Sequence, residues 1–99
     1  MATITRADAG RLLADVPQEF VFWCCDGRIF RNTRDLSEGL AAMTDGSFAF
    51  HANVDKNDFS NWVKDVIKDK KLARDLSNSV NRAQAAQSVA QRINFLSGR

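Results

Sequence analysis

The sequence has no tyrosine, one proline, one histidine and only two cysteines, the neighbours Cys24 and Cys25. Adjacent cysteines cannot tie distant parts of a chain together. A stapling disulfide framework is therefore excluded, and a reducing, cytoplasmic setting is expected. The five glycines are scattered singly, so no phosphate-cradling loop is present. No run of about 18 apolar residues occurs, which excludes a membrane-spanning helix. Met1-Ala2-Thr3-Ile4 lacks the charged start and long apolar stretch of a secretory leader. Net charge is small as well, at +2. What is present is the composition of a folded chain, 44% hydrophobic and 26% charged over 99 residues, which excludes disorder. One domain is expected over residues 1–99, with its core at about 4–97. Such a domain has a radius of gyration of roughly 13 Å, which leaves little space for a deep cleft beside a core.

Hydrophobic spacing and punctuation predict the elements. Thr5 to Ala14 reads as a short helix with Thr5 or Thr3 as cap and Pro17 beyond its end. Glu19 to Cys25 is aromatic and β-rich. Asp26-Gly27 then separates it from Arg28 to Arg31, a strong hairpin signal of the type I′ kind. Asn32 or Thr33 caps a helix reaching about Met43. Thr44 to Ser47 reads as a turn, and Phe48-Ala49-Phe50-His51 alternates like a third strand. The first strand is apolar on both faces and so belongs in the middle, giving the order 2-1-3.

The C-terminal half reads as three helices. Phe59, Trp62, Val63, Val66 and Ile67 fall on a stripe about 140° wide. Leu72, Ala73, Leu76 and Val80 form a second stripe rotated by roughly 200° from the first. One straight helix would expose half of these residues, so a break is expected near Lys68–Lys70, with Asp69 as the new cap. Asp55 or Asn57 caps the first of these helices. Asn81 and Gln84 resemble a capping box before a final stripe of Ala83, Ala86, Val89, Ala90, Ile93 and Leu96. Phe95 lies off that stripe and is read as covering a neighbouring helix, with a contact to a partner as the alternative. Nearly every aromatic thus receives a core assignment. The expected fold is α+β: a three-stranded antiparallel sheet with an N-terminal helix, one crossover helix and three C-terminal helices.

Phe48-Ala49-Phe50-His51, Lys56-Asn57-Asp58-Phe59, Trp62 to Val66 and Leu72-Ala73 together carry a pattern. It reads F-x-F/Y-H-x-N, then K-N-D-F-x-x-W-I/V-x-D-V/I, then L-A. In this the chain resembles a small prokaryotic, largely archaeal, family of domains of unknown function. The upstream Phe22-Trp23-Cys24 and Asp26-Gly27 resemble that family's strand and turn. The resemblance spans about residues 4 to 97 and implies the domain's limits; it implies no mechanism.

Side chains that carry chemistry are few. His51, alone of its kind, is a metal ligand or general base on one reading and a hydrogen-bonded core-edge residue on the other. Strand alternation allows only one of Cys24 and Cys25 to share a face with His51. That is too few ligands for a closed tetrahedral site, so no metal or other cofactor is expected. Both cysteines sit in an aromatic strand, where burial quietens a thiol, so no catalytic residue is expected either. Asp55, Asn57 and Asp58 suit a helix start and lack the later positions of a calcium loop. Trp62 belongs to the core. Trp23 marks a binding surface if helices cover only one face of the sheet, because Val21, Trp23 and Cys25 would then be exposed.

Charge is mixed but tilts basic late in the chain. Lys64, Lys68, Lys70, Lys71 and Arg74 outnumber Asp65 and Asp69, and Arg82, Arg92 and Arg99 follow with no acid after Leu76. The function expected is a small non-enzymatic intracellular binding or adaptor module with a protein partner, capable of self-association. Its candidate surface is the loop carrying His51, Asn53, Lys56, Asn57 and Asp58. The alternative is a nucleic-acid binder using Lys64, Lys68, Lys70, Lys71, Arg74, Arg82 and Arg92. A weaker alternative is a small metal- or thiol-dependent enzyme around His51.

Overall fold

The computed structural model describes residues 4–98. Thr5 caps helix α1 (Arg6–Leu13), its hydroxyl accepting from Asp8 N; Thr3, the other candidate cap, lies outside the described residues. A 3₁₀ turn (Gln18–Phe20) follows Pro17 and leads into a hairpin of β1 (Phe22–Trp23) and β2 (Ile29–Phe30). Phe22 pairs with Phe30 and Trp23 with Ile29. The connection is not the expected type I′ turn, which needs positive φ at two successive residues. Among the described residues of the hairpin only Gly27 has positive φ, at +94°, and its N–H donates to Cys24 O. Cys24 N in turn donates to Arg28 O, so Cys25-Asp26-Gly27 is a three-residue loop with Gly27 as the bulge. Asp26 fastens it by accepting from Arg28 N and pairing with the Arg28 guanidinium.

Helix α2 (Thr33–Ala42) starts at Asn32, which accepts from Asp35 N. Thr33 is buried one step later and donates its hydroxyl to Leu12 O, joining α2 to α1. Gly39 is where the hairpin docks. A β-carbon there would overlap the Phe30 ring, so only glycine lets the strand approach this closely.

The expected third strand does not form. Asp45–His51 is a helix, α3, and among the described residues the sheet has two strands. The order 2-1-3 and the crossover to a third strand are overturned with it. Thr44 is a helix cap whose hydroxyl accepts from Ser47 N, and Asp45 suits the first turn. Helical spacing then turns Phe48 and His51 inward and leaves Phe50 outside. The fold is still α+β, with six α-helices and one two-stranded hairpin among the described residues.

Asn57 caps α4 (Asp58–Trp62) through Ser60 N, and its amide donates to Leu76 O, tying α4 to the helix that follows. A π turn (Val63–Ile67) ends in Lys68, whose φ of 69° places it in the left-handed region. Val63 O accepts from both Lys68 N and Asp69 N, which closes the reversal. Asp69 then caps α5 (Lys70–Ser77) through Leu72 N. The break sits where the two stripes demanded it, and Phe59, Trp62, Val63, Ile67, Leu72, Ala73 and Leu76 all reach the core.

Asn81 caps α6 (Arg82–Ser97); Gln84 reaches back to Val80 N, one residue before the capping-box position. The buried face of α6 is Ala85, Val89, Arg92 and Leu96. Ala83 and Ala90 are exposed, because helical spacing sets them about 160° around the helix from Ala85 and Arg92 on the buried face. Helix α6 packs against α2, α1 and α5. Each fully buried leucine on that seam, such as Leu36 or Leu40, contributes roughly 1.5–3 kcal/mol of transfer free energy. The radius of gyration is 12.7 Å.

Candidate functional site

The end of α3 and the start of α4 are brought together by the short segment between them. Ala52 pairs with Asn57, Asn53 N donates to Lys56 O, and Asn53 Oδ1 accepts from Asp55 N. That clasp returns Asp58 to His51. His51 Nδ1 lies 2.9 Å from Asp58 Oδ2, and His51 Nε2 accepts from Cys25 N at 3.0 Å. An amide donor on Nε2 leaves the proton on Nδ1, which therefore donates to Asp58. The ring is 5% exposed and sits edge-on to Phe22, Phe50 and Phe59. Lys56 reaches the same Asp58 oxygen at 3.0 Å and covers the Phe50 ring. Burial pushes the Asp58 carboxyl up, but the hydrogen bonds from His51 and Lys56 outweigh it and hold the group below its ordinary value of 3.8.

Both cysteines face this histidine. The donor atoms of Cys24, Cys25 and His51 lie within 4.8 Å of one another. Strand alternation does not forbid it, because β1 ends at Trp23 and Cys25 already belongs to the loop. Cys24 is buried, and burial raises its thiol above the ordinary value of 9.0. Cys25 is exposed, contrary to a buried strand position, with its sulfur 3.8 Å from Ser47 O. Spacing alone hid this constellation; the cue was Gly27, whose bulge takes Cys25 out of alternation.

The other loop residues look elsewhere. Asn53, Lys56 and Asn57 line a cavity of about 680 Å³ together with Val54 and Val80, and Lys56 also reaches Asp58, while His51 meets the hairpin through Cys25 N. Of the five residues expected to share one surface, His51 is buried, and Lys56 links the cavity side to Asp58.

The basic residues divide as sharply. Arg82 pairs with Asp45 and donates to the carbonyls of Leu40 and Ala41, closing the end of α2. Arg92 is buried and grips Asp69 through two hydrogen bonds, of 2.8 and 3.0 Å, under the Phe95 ring. The Arg92 side chain is enclosed, whereas that of Arg82 stays partly exposed. Lys71 pairs with Asp75, and Lys68 donates to Asp65 O. Lys64, Lys70 and Arg74 take part in no ion pair among the described residues and border one cavity of about 390 Å³.

The aromatics are less buried than their pattern implies. Trp23 is 71% exposed and Ile29, its cross-strand partner, 43%. Phe20, Phe50 and Phe95 are exposed too. Val16, Val21, Trp23 and Ile29 line a cavity of about 380 Å³ edged by Asp15 and Arg31. Helices cover only the Phe22–Phe30 side of the hairpin, so Trp23 and Ile29 stay open to solvent.

Comparison with family models, with curated proteins and with solved structures finds no match to this chain. No helix among the described residues is long and apolar enough to cross a membrane.

Proposed function

We propose that this chain is a small non-enzymatic binding module that engages a protein partner through the outer face of its hairpin. The observation that carries this reading is the cross-strand pair Trp23–Ile29, held open to solvent on a hairpin whose other face is fully used by the core. Tryptophan in a contiguous apolar patch is the residue type that dominates protein interfaces. A rim of Asp15 and Arg31 gives the patch both charges for orienting a partner.

The test compares the full chain with Trp23→Ala. The variant removes an exposed side chain, so its circular dichroism and unfolding midpoint should match the wild type. A partner captured specifically by the wild type from its native cell should be lost, and self-association measured by light scattering should fall where the partner is a second copy. Capture or association that survives Trp23→Ala overturns the reading. Nucleic-acid binding has its own support in Lys64, Lys70 and Arg74 around one cavity. It requires affinity for a mixed RNA or DNA pool at low salt that falls steeply as salt rises; a pool that stays unbound at low salt removes it.

A further inference from the structure

We propose that Cys24, Cys25 and His51 form a binding site for a thiophilic divalent cation, with Zn²⁺ as the ion of choice and Asp58 as the residue that positions the histidine. The three donor atoms converge to within 4.8 Å of one another from two separate segments, the hairpin loop and the end of α3. Tetrahedral zinc with bonds of about 2.3 Å to sulfur and 2.0 Å to nitrogen needs donors roughly 3.6–3.8 Å apart. The change required is of the order of 1 Å, within reach of a side-chain rotation at exposed Cys25. Sulfur with imidazole is the donor set of zinc and not of calcium or magnesium.

The second observation is independent of the cysteines. Asp58 accepts from His51 Nδ1, which fixes the ring so that Nε2 points at the hairpin loop. A carboxylate on the far nitrogen is the usual support of a zinc-bound histidine. Cys25 N now donates to that Nε2; on binding the cation takes its place, and the amide, in an exposed loop, turns to water. Each thiol gives its proton to solvent as its sulfur binds, and His51 gives up none. Three protein ligands leave the fourth position to water on the Cys25 side.

The experiment uses the reduced, chelator-treated full chain titrated with Co²⁺ and then Zn²⁺. A thiolate-to-cobalt charge-transfer band and tetrahedral visible bands should saturate at one equivalent and bleach with Zn²⁺. Zn²⁺ should raise the unfolding midpoint. Cys25→Ser should weaken binding at least about tenfold, and Asp58→Asn about 10–100-fold while keeping the charge-transfer band, as expected of a positioning residue. Should Cys25→Ser fail to fold, wild-type alkylation serves instead: Zn²⁺ should slow iodoacetamide at Cys25. A folded, reduced protein without the band, Cys25→Ser binding as tightly as wild type, or alkylation indifferent to Zn²⁺ overturns the proposal. Trp23→Ala should leave the band intact, so this site and the hairpin's outer face fail separately.

Discussion

Two aspartates, Asp58 and Asp69, each open a helix in the C-terminal half, and each holds a basic side chain from another element. Their surroundings differ. The Asp69 and Arg92 side chains are 2% and 7% exposed, and both carboxylate oxygens are engaged: two hydrogen bonds come from Arg92 and one from Leu72 N. The pair is a closed joint between α5 and α6. The Asp58 side chain is 31% exposed, shares its bonding oxygen with Lys56 at the surface, and holds a histidine whose other nitrogen accepts from Cys25 N, with two thiols nearby. Similar chemistry at a helix start is finished in one place and left open in the other. Openness, more than residue type, separates a candidate site from a structural tie.

Arg92→Ala is the harshest way to test this contrast. It leaves Asp69 buried without its partner and should cost about 3–5 kcal/mol in urea unfolding. A loss below that of an exposed pair would mean the joint is not closed. Asp58→Asn keeps an acceptor for His51 and lies partly in water, so its loss should be about 1 kcal/mol or less. Its acid limb is more telling. The folded carboxyl titrates below its ordinary value of 3.8. Its stabilisation is therefore complete above about pH 4 and disappears as pH falls through the lower folded value. With chelator present, Asp58→Asn should flatten that part of the acid-unfolding curve; an unchanged limb would show that His51 and Lys56 do not hold the charge. The mildest change is Lys56→Ala, at about 0.5 kcal/mol or less, because the pair is exposed to solvent. A larger loss would show the open pair behaving like the closed one.

Much of the fold was legible because caps and helix phase are local signals. Thr5, Asn32, Asn57, Asp69 and Asn81 are all caps, and the reversal at Lys68–Asp69 lies where two apolar stripes fall out of phase. Phe48 to His51 misled because four residues satisfy a period of two and a helical turn alike. The deciding cue stood just upstream, in Thr44 and Ser47 acting as a cap. The candidate site was legible only in parts. His51 and Asp58 stood out singly, yet their pairing depends on the Ala52–Asn57 clasp, and the nearness of both thiols depends on a bulge at Gly27. Arg92 was hidden for another reason: nothing in a basic run tells which arginine points inward, since that is decided by the buried Asp69 across the helix pair.

The hairpin also gives the protein an optical property. Trp62 is 8% exposed and donates its indole N–H to Phe20 O at 2.8 Å, while Trp23 stands in solvent three residues further along the chain from Phe20. With no tyrosine in the sequence, near-ultraviolet emission divides between one sheltered indole and one bathed in water. An aqueous quencher should dim the red part of the spectrum alone, and anything that settles on the hairpin should shield it, so the molecule carries its own gauge of occupancy on that face.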